Sequence, residues 1–397
     1  MGIFPLTKLK KHTTKIGSGS TPKGGEKAYK SNGIPLIRSQ NVLTNRLNLS
    51  NVALIDEEQH EKMKGSKVQP KDVLLNITGA SIGRSCVVPI NLLEANVNQH
   101  VCILRLRKTI DGRLLSIFLN SQFGQKQIGS FQSGGSREGL NFQQIGSFDI
   151  PMPPLPEQKA IADLLSTWDE AIEKTERLIQ AKERCFNKLI NSLIYADKFK
   201  RGHIQDFTKE ISDRNSEQKI NRVLSVTNHS GFVLPEEQFS RSVASSNLSN
   251  YKIVLRGQYA YNPSRINVGS IARLNDWNEG VLSPMYVVFC INESRVDSDF
   301  FHNWLLSHEA RQRIAKSTQG SVRETVSFSS LGRIPFPLPN LNEQKEISAV
   351  LNAAQKEIDL LKQLAEKYKT QKRGLMQKML TGIWRIKSEV INQYTEV

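Results

Sequence analysis

Few residues of this chain have the types and the spacing that covalent chemistry requires. Methyl transfer to an adenine amino group would need an Asn/Asp-Pro-Pro-Tyr/Phe motif, and Asn262-Pro263-Ser264 does not supply one. An ATP-driven motor would need a phosphate-binding loop with G-x-x-x-x-G-K-[ST] spacing, which the run from Gly17 to Lys23 lacks. The seven histidines are scattered and form no H-E-x-x-H cluster. The sequence therefore predicts no catalytic site and no bound metal.

The net charge indicates a polyanionic partner. Lys and Arg number 54 against 38 acidic residues, which is a formal charge of +16. Such a surplus favours nucleic acid, with a merely basic soluble protein as the alternative. Hydrophobic residues make up 38% of the chain, which is enough to build real cores and excludes wholesale disorder.

Polar side chains on loops are the candidates for reading base edges, because Arg and Lys pair with guanine and Asn and Gln with adenine. In the first half of the chain they are Ser18, Ser20, Thr21 and Lys23, then Arg38, Ser39, Gln40 and Asn41, then Asn76, Thr78, Ser81 and Arg84, and finally Ser133, Ser136 and Arg137. In the second half they are Arg222, Ser225, Thr227 and Asn228, then Asn262, Arg265 and Asn267, and finally Gln319, Ser321 and Arg323.

Several of these residues have a structural alternative. Arg137 and Arg323 each precede a glutamate and could form an ion pair inside the fold. Asn76 and Asn262 could cap turns, the interpretation that we favour over base contact. Lys23 and the lysines at 8, 10, 11 and 15 are better suited to phosphate than to bases.

The cysteines and the apolar stretches limit the cellular context. The four cysteines, at 86, 102, 185 and 290, form no C-x-x-C pair and predict reduced core thiols. The first residues lack a signal-peptide core, and Tyr286–Ile291 is too short to cross a bilayer. We therefore expect a cytoplasmic protein with no membrane partner.

An internal repeat spans most of the chain. Glu157-Gln158-Lys159 matches Glu343-Gln344-Lys345 at an offset of 186 residues. The same offset relates Ser39 to Ser225 and Leu189 to Leu375 without a gap. Each copy contains about 150 residues with the short runs and turns of a mixed domain, then a proline-spaced segment, then a long helical pattern.

The two long patterns, about 157–196 and 342–382, alternate steps of four and three residues, as in a coiled coil. The apolar seam comprises Ile161, Leu165, Trp168, Ile172, Ile179, Phe186, Leu189 and Leu193 in the first helix, and Ile347, Leu351, Ile358, Leu361, Tyr368, Leu375 and Met379 in the second.

These parts predict an α+β protein with two globular mixed α/β domains, separated by an antiparallel two-helix coiled coil and related by a pseudo-two-fold repeat. The expected boundaries are 1–154 and 198–339 for the domains, 155–197 and 340–384 for the helices, and 385–397 for a tail. The alternative is that each helix packs only on its own globular domain.

Four short motifs occur in a fixed order along the chain: Gly17-Ser-Gly-Ser-Thr-Pro22, the run Gly33–Asn41, and the segments Ile150–Ala162 and Pro335–Ser348. With these motifs the chain resembles the specificity subunit of type I restriction-modification systems, and the resemblance covers essentially the whole chain. Each motif is weak alone, whereas their order together with the repeat is specific.

The resemblance implies that the globular units are target-recognition domains, each reading one half of a split site in double-stranded DNA. It implies that the helices space the half-sites and dock two methyltransferase subunits, to which motor-nuclease subunits are added. No cofactor is expected on this chain; the methyltransferase would use S-adenosylmethionine, and the motor subunit ATP and Mg. Because the two units differ in sequence, we expect an asymmetric site, with half-sites about one helical turn, roughly 34–36 Å, apart.

Two rival functions remain open at this level. A stand-alone DNA-modifying enzyme would methylate or cut DNA without partners, and the missing motifs count against it. A coiled-coil scaffold that binds only proteins would not need the charge of +16 or two large repeated domains. DNA binding in the presence of the methyltransferase would distinguish a scaffold from a specificity subunit.

Overall fold

The computed structural model describes residues 4–132, 139–194, 199–228, 230–235, 247–318 and 325–395. The chain divides into two compact units. Unit 1 comprises Met1–Lys174 with Ala365–Val397, and unit 2 comprises Thr175–Leu364. Unit 1 is therefore discontinuous, because the C-terminal part of the chain returns to it. Among the described residues, no helix combines the length and the apolar character that a membrane span requires.

Unit 1 is built from short strands and helices. Its strands are β1 Leu6–Lys8, β2 Thr13–Ser18, β3 Ile34–Ile37, β4 Val42–Leu43, β5 Arg46–Leu47, β6 Ala53–Ile55, β7 Val73–Asn76, β8 Ser85–Val87, β9 Asn96–Val97, β10 Val101–Leu106 and β11 Asp149–Pro151. Its helices are α1 Glu57–Lys62, α2 Gly112–Asn120, α3 Gln122–Ser130 and α4 Phe142–Gly146, followed by the first half of α5 Leu155–Ile194.

A four-stranded sheet in the order β2-β10-β7-β8 forms the centre of unit 1, and its strands are antiparallel. Alternate residues of β7 face two different cores. Val73 and Leu75 pack with α2 and the start of α5, whereas Leu74 packs with Val97 and Ile103 under the smaller sheet β6-β3-β9. The sheet is thus buried on both faces, which explains the continuous apolar run Val73-Leu74-Leu75.

Unit 2 repeats the central sheet, whereas the described residues beside it form two-stranded sheets in place of β6-β3-β9. Its strands are β12 Arg201–His203, β13 Thr208–Ile211, β14 Ser225–Thr227, β15 Gly231–Val233, β16 Lys252–Leu255, β17 Tyr259–Tyr261, β18 Ile271–Arg273, β19 Glu279–Leu282, β20 Val287–Ile291 and β21 Pro335–Pro337. Its helices are α6 Ser298–Leu306, α7 His308–Thr318 and α8 Phe328–Gly332, followed by α9 Leu341–Thr381, whose second half belongs to unit 1 with α10 Ser388–Asn392.

The central sheets of the two units have the same strand order. The order β13-β20-β17-β18 in unit 2 matches β2-β10-β7-β8 strand by strand, and the small pair β12-β21 matches β1-β11. The offset of 186 holds for the last three strands of each sheet. The start of the repeat departs from this offset. Leu6 pairs with Pro151 in unit 1, and Arg201 pairs with Pro337 at the equivalent place in unit 2, so these two matched residues are 195 positions apart in the sequence. The loop after β2 is accordingly longer in unit 1.

A glutamine anchors each long helix to its own unit. The buried Gln158 side chain accepts the Asp111 N–H at 2.8 Å and donates to the Pro153 carbonyl at 2.9 Å. The buried Gln344 side chain accepts the Asp297 N–H at 2.8 Å and donates to the Pro339 carbonyl at 2.9 Å. The repeated Glu-Gln-Lys motif is therefore a junction between helix and sheet domain.

The long helices contact each other within each unit. In unit 1, Trp168 and Tyr368 meet edge to face with ring centroids 5.7 Å apart, and Lys372 pairs with Asp169. In unit 2, Lys182 pairs with Glu357 at 2.8 Å. The helices also enter the globular cores, since Ile161 and Leu165 lie in the main cluster of unit 1. Pairing of the helices and packing on their own domains, which the sequence presents as alternatives, therefore occur together.

None of the predicted seam residues is exposed. Fully buried are Ile161, Leu165, Ile179, Phe186, Leu351, Ile358 and Met379, and partly buried are Trp168, Ile172, Leu189, Leu193, Ile347, Leu361, Tyr368 and Leu375. Helix α5 begins at Leu155, so Pro156 lies in its first turn. Backbone N–H groups in the first turn have no partner within the helix, and the missing N–H of proline therefore costs no helical hydrogen bond.

The cysteines only partly match the prediction of core thiols. Cys86 and Cys102 are buried, and burial raises the pKa of both thiols to about 12. Cys185, by contrast, is exposed on α5, and Cys290 is half-buried on β20. The expectation was wrong for Cys185, because this position of α5 remains in contact with solvent although the next residue, Phe186, is buried.

Candidate nucleic-acid interface

Each unit has the same turn after the third strand of its central sheet. The Asn76 N–H donates to the Arg84 carbonyl at 2.8 Å, and the Asn262 N–H donates to the Ser270 carbonyl at 3.1 Å. Gly83 and Gly269 occupy matching positions with φ of 85° and 98°, a conformation that glycine adopts without strain. The repeat thus places the candidates of NITGASIGR and YNPSRINVG on one kind of turn.

The two asparagines hold these turns closed. The Asn76 side chain is fully buried and donates to the Ser39 carbonyl at 2.9 Å and to the Ser81 hydroxyl at 3.1 Å. The Asn262 side chain is 9% exposed and accepts the Ser264 N–H at 3.0 Å. Burial and these bonds favour the capping interpretation of both residues over base contact.

A chain of polar side chains joins three loops of unit 1. The Thr21 hydroxyl donates to the Gln99 side chain, whose amide contacts His100 Nε2 at 2.9 Å. The opposite ring nitrogen of His100 contacts the Thr78 hydroxyl. Gly139 pairs with Thr78 on the other side, so the chain that follows the candidate loop QSGGSRE also reaches this point. The structure therefore brings Thr21 and Thr78 together around His100.

The candidates after β3 divide into structural and available residues. Asn41 is buried, accepts the Arg38 N–H at 3.0 Å and donates to the Asn48 carbonyl at 3.0 Å. The Arg38 guanidinium lies over the Tyr29 ring at 5.4 Å. Gln40 is exposed and Ser39 is half-buried. Asn41 therefore maintains the loop, whereas Gln40 presents its amide to solvent.

The remaining candidates of unit 1 are accessible or outside the described residues. Ser20, Lys23 and Arg84 are exposed, and Ser18 and Ser81 are half-buried. Ser133, Ser136 and Arg137 lie outside the described residues. Two of the lysines proposed for phosphate have other partners, since Lys8 pairs with Asp149 at 2.8 Å and Lys15 donates to the Gly65 carbonyl at 2.6 Å.

Unit 2 presents a different set of side chains. Arg265, Asn267 and Asn228 are exposed around the turn of Gly269. Arg222 is exposed and donates to the Glu279 carbonyl at 3.3 Å, and Ser225 and Thr227 are half-buried on β14. Thr227 accepts the Ser230 N–H and donates to the Gly231 carbonyl, so its hydroxyl maintains a hairpin. Gln319, Ser321 and Arg323 lie outside the described residues.

Sequence reasoning missed Gln99, His100 and Tyr29. Gln99 and His100 stand in the turn before β10, in the polar run Asn98-Gln99-His100 between two buried strands. The repeat replaces this run with Pro284-Met285-Tyr286, so a search for repeated polar residues passes over it. The position of this polar run, between two apolar strand segments, is the sequence feature that could have identified it as a loop candidate.

A family model described as the type I restriction modification DNA specificity domain matches residues 13–183 and 267–369, more than half of the chain. The type I restriction enzyme MjaVIII specificity subunit of Methanocaldococcus jannaschii is 23% identical over 352 residues, which are 81% of this chain and 81% of that protein. The EcoBI specificity subunit of Escherichia coli is 22% identical over 379 residues, which are 84% of this chain and 75% of that protein.

The fold is also similar to solved structures. The S subunit of a type I restriction-modification system from M. genitalium matches with a TM-score of 0.60 and 14% identity, over 96% of both chains. A second chain, from a structural study of complex assembly and conformational transition of the type I restriction-modification system, matches with a TM-score of 0.57 and 14% identity, over 96% of this chain and 97% of that one. At this identity the likeness concerns the fold.

Proposed function

The chain belongs to the family of type I restriction-modification specificity subunits, and from this premise we propose that each of its units reads one half of a split, asymmetric DNA site. The observation that carries the proposal is a repeated sheet with unequal loops. The central sheets share one strand order, whereas the loops differ: unit 1 has exposed Gln40 and Gln99 and half-buried His100, and unit 2 has exposed Arg265 and Asn267 at other positions of the repeat. Different side chains on one scaffold should recognise different bases.

We further propose that α5 and α9 form an antiparallel spacer between two target-recognition domains, with the boundaries expected from the sequence. Within unit 1, the partner of residue 169 on α9 is 372, and Arg385, beyond the end of α9, contacts Glu157 near the start of α5. This order of contacts supports an antiparallel arrangement. The glutamine anchors at both helix starts suit a spacer of constant length.

The helices are also the proposed docking surface for two methyltransferase subunits, with motor-nuclease subunits joining through the complex. Leu178, Val350, Leu360 and Leu364 are 37–55% exposed on the helix segments of unit 2. Several exposed large aliphatic residues on paired helices are typical of a surface that another protein covers. We propose that this chain contributes no catalysis, and that S-adenosylmethionine, ATP and Mg bind to its partners.

The test is the set of bases methylated in cells that express this chain with its methyltransferase. We expect a two-part asymmetric motif. Replacing Gln99 and His100 with Ala should change or relax one half of the motif, and replacing Arg265 and Asn267 with Ala should change only the other half. Loss of a good base contact costs about 1–3 kcal/mol, which is roughly a tenfold to hundredfold loss of discrimination.

Matched controls distinguish reading from folding. Lys126 is exposed on α3, outside the loop cluster, and Lys126→Ala should leave both halves unchanged. Methylation by the purified chain alone would establish the stand-alone enzyme instead. A complex that assembles but leaves DNA unmodified and unbound would favour the protein scaffold.

A further inference from the structure

Unit 1 contains an open groove whose lining includes none of the candidate DNA-contacting residues. Its volume is about 960 Å³, and it lies where β7 begins and β10 ends, beside the first turn of α5. Its apolar lining includes Val87, Val88, Ile90, Leu106, Ile110 and Leu155. Ile90 is 72% exposed, and Leu93, in the same loop, is 75% exposed. Two large aliphatic side chains held in solvent on one loop indicate a surface that a partner covers.

The groove is also positively charged. Lys71, Arg107, Lys108 and Lys159 line it, and none of them forms an ion pair with a carboxylate among the described residues. The two carboxylates of the lining are already neutralised. Asp72 is held by Arg105 through bonds of 2.9 and 2.8 Å, and Asp111 by Arg113 at 3.1 Å.

The strand directions separate this groove from the candidate interface. In the antiparallel pair of β7 and β10, Asn76 lies opposite Val101, and Val73 lies opposite Leu104. The turn of Asn76 and the loop of His100 are therefore at one end of the sheet, and Lys71 and Arg107 are at the other. A DNA duplex read by the loops is not expected to reach this groove.

Of the four cations that line the groove, the second unit repeats only Lys159, as Lys345. At the positions 186 residues further on, Asp276 replaces Ile90, Glu293 replaces Arg107, and Asp299 replaces Arg113. Arg273, which replaces Val87, pairs with Asp299 at 2.7 Å, so an ion pair stands where unit 1 has an aliphatic residue and an arginine. Fold conservation therefore does not require the basic groove.

We propose that this groove docks an acidic protein segment, which inserts an apolar side chain against Ile90 and Val88 between carboxylates that pair with Lys71, Arg107 and Lys108. An acidic peptide matches both features, whereas a phosphate backbone would use the cations and leave the aliphatic floor uncovered. Because unit 2 has Gly257, Glu293 and Ser294 at the positions of Lys71, Arg107 and Lys108, the segment docks on one unit only, so an assembly with two copies of a partner is asymmetric at this contact.

The test is photo-crosslinking in the assembled complex of this chain with its methyltransferase and motor subunits and a duplex carrying the methylated motif. The inference rests on the proposed function, because that function determines which partners are assembled in this complex. With p-benzoylphenylalanine in place of Ile90, we expect a crosslink to a segment of a partner polypeptide rich in Asp and Glu. The same probe in place of Asp276, the matched position of unit 2, should give at least tenfold less.

Charge-reversal variants complete the design. Arg107→Glu combined with Lys108→Glu should reduce the crosslink at position 90 at least tenfold, while Lys126→Glu, elsewhere on unit 1, should not reduce it. A crosslink to DNA, or no crosslink from position 90 in a complex that binds DNA, would overturn the inference and leave the proposed function intact. Failure of the unmodified chain to assemble and bind DNA would instead contradict the proposed function.

Discussion

The two units have the same central sheet but different interiors. Leu115, Phe118 and Ile150 of unit 1 correspond to Phe301, Trp304 and Phe336 of unit 2, and all six are buried. In unit 2 these rings pack together, with centroids 5.2–5.8 Å apart. The strand order and the helix junction have thus been kept, while side-chain volume has shifted from aliphatic to aromatic. The comparison indicates that backbone geometry, rather than particular core contacts, is what the repeat preserves.

The largest effect should come from the aromatic core of unit 2. Trp304→Ala removes a fully buried ring and should destabilise unit 2 by about 4 kcal/mol, against about 3 kcal/mol in unit 1 for Phe118→Ala. Hydrogen exchange read peptide by peptide would measure each unit. Trp304→Phe is the control and should cost less than about 1.5 kcal/mol, because the ring volume is mostly kept and the indole N–H has no partner among the described residues. Equal losses for both alanine variants would contradict the distinction between the cores.

The glutamine junctions should be equal in the two units. Gln158→Ala and Gln344→Ala each leave a buried N–H and two carbonyls without partners, at a cost of about 3 kcal/mol. Denaturant unfolding with hydrogen exchange would show whether the first turns of α5 and α9 open. Lys345→Ala, at an exposed neighbouring position, should cost less than about 0.5 kcal/mol. A large effect in only one unit would mean that the junction is not a shared element.

The glutamates next to these glutamines should differ. Glu157 is fully buried and bound by Arg385 at 2.7 and 2.6 Å, whereas Glu343 is only half-buried and accepts from Asn340 at its own helix start. Arg385→Ala would leave a buried carboxylate unpaired and should cost about 2 kcal/mol, discounted for the half-exposed guanidinium. Thermal unfolding should show partial rescue when Glu157→Gln is added. Glu343→Gln should cost less than about 1 kcal/mol.

The smallest effect is a pH dependence confined to unit 2. Burial, with Arg273 nearby, lowers the pKa of His302 to about 4 from its usual 6.5. In the unfolded chain His302 is therefore protonated below pH 6.5, whereas in the folded chain it stays neutral until about pH 4. Stability is complete above pH 6.5 and should fall by about 1.4 kcal/mol between pH 7.5 and 5.5. His302→Phe should remove this slope in urea unfolding curves; an unchanged slope would assign it to other groups.

The sequence predicted the elements that depend on local pattern. The two long helices follow from their apolar spacing, and the equal strand order of the units follows from the constant offset between Asn76 and Asn262 or Val101 and Val287. The offset breaks down only at the start, where the loop after β2 has changed length. The hydrophobic periodicity does not depend on loop length. The difference in loop length was therefore found only from the strand pairings, β1 with β11 and β12 with β21.

The candidate site was less accessible to sequence reasoning. Asn41, Asn76 and Gln40 are equally good candidates by residue type. In the structure, however, Asn41 and Asn76 are buried inside their turns, and Gln40 is exposed. His100 and Gln99 were missed because their contacts with Thr78 and Thr21 join loops that are distant in the chain. Which polar residue is available to a ligand depends on neighbours that the linear pattern does not contain.

Residue order alone established the duplication, the heptad spacing and the charge of +16, because each is a property of the linear chain. Tertiary structure decided that Gln158 and Gln344 are junctions, that Glu157 is neutralised from the far end of the chain, and that one unit carries a basic apolar groove. These features depend on burial and on distances of about 3 Å between remote residues, and such distances are set only when the strands and helices pack.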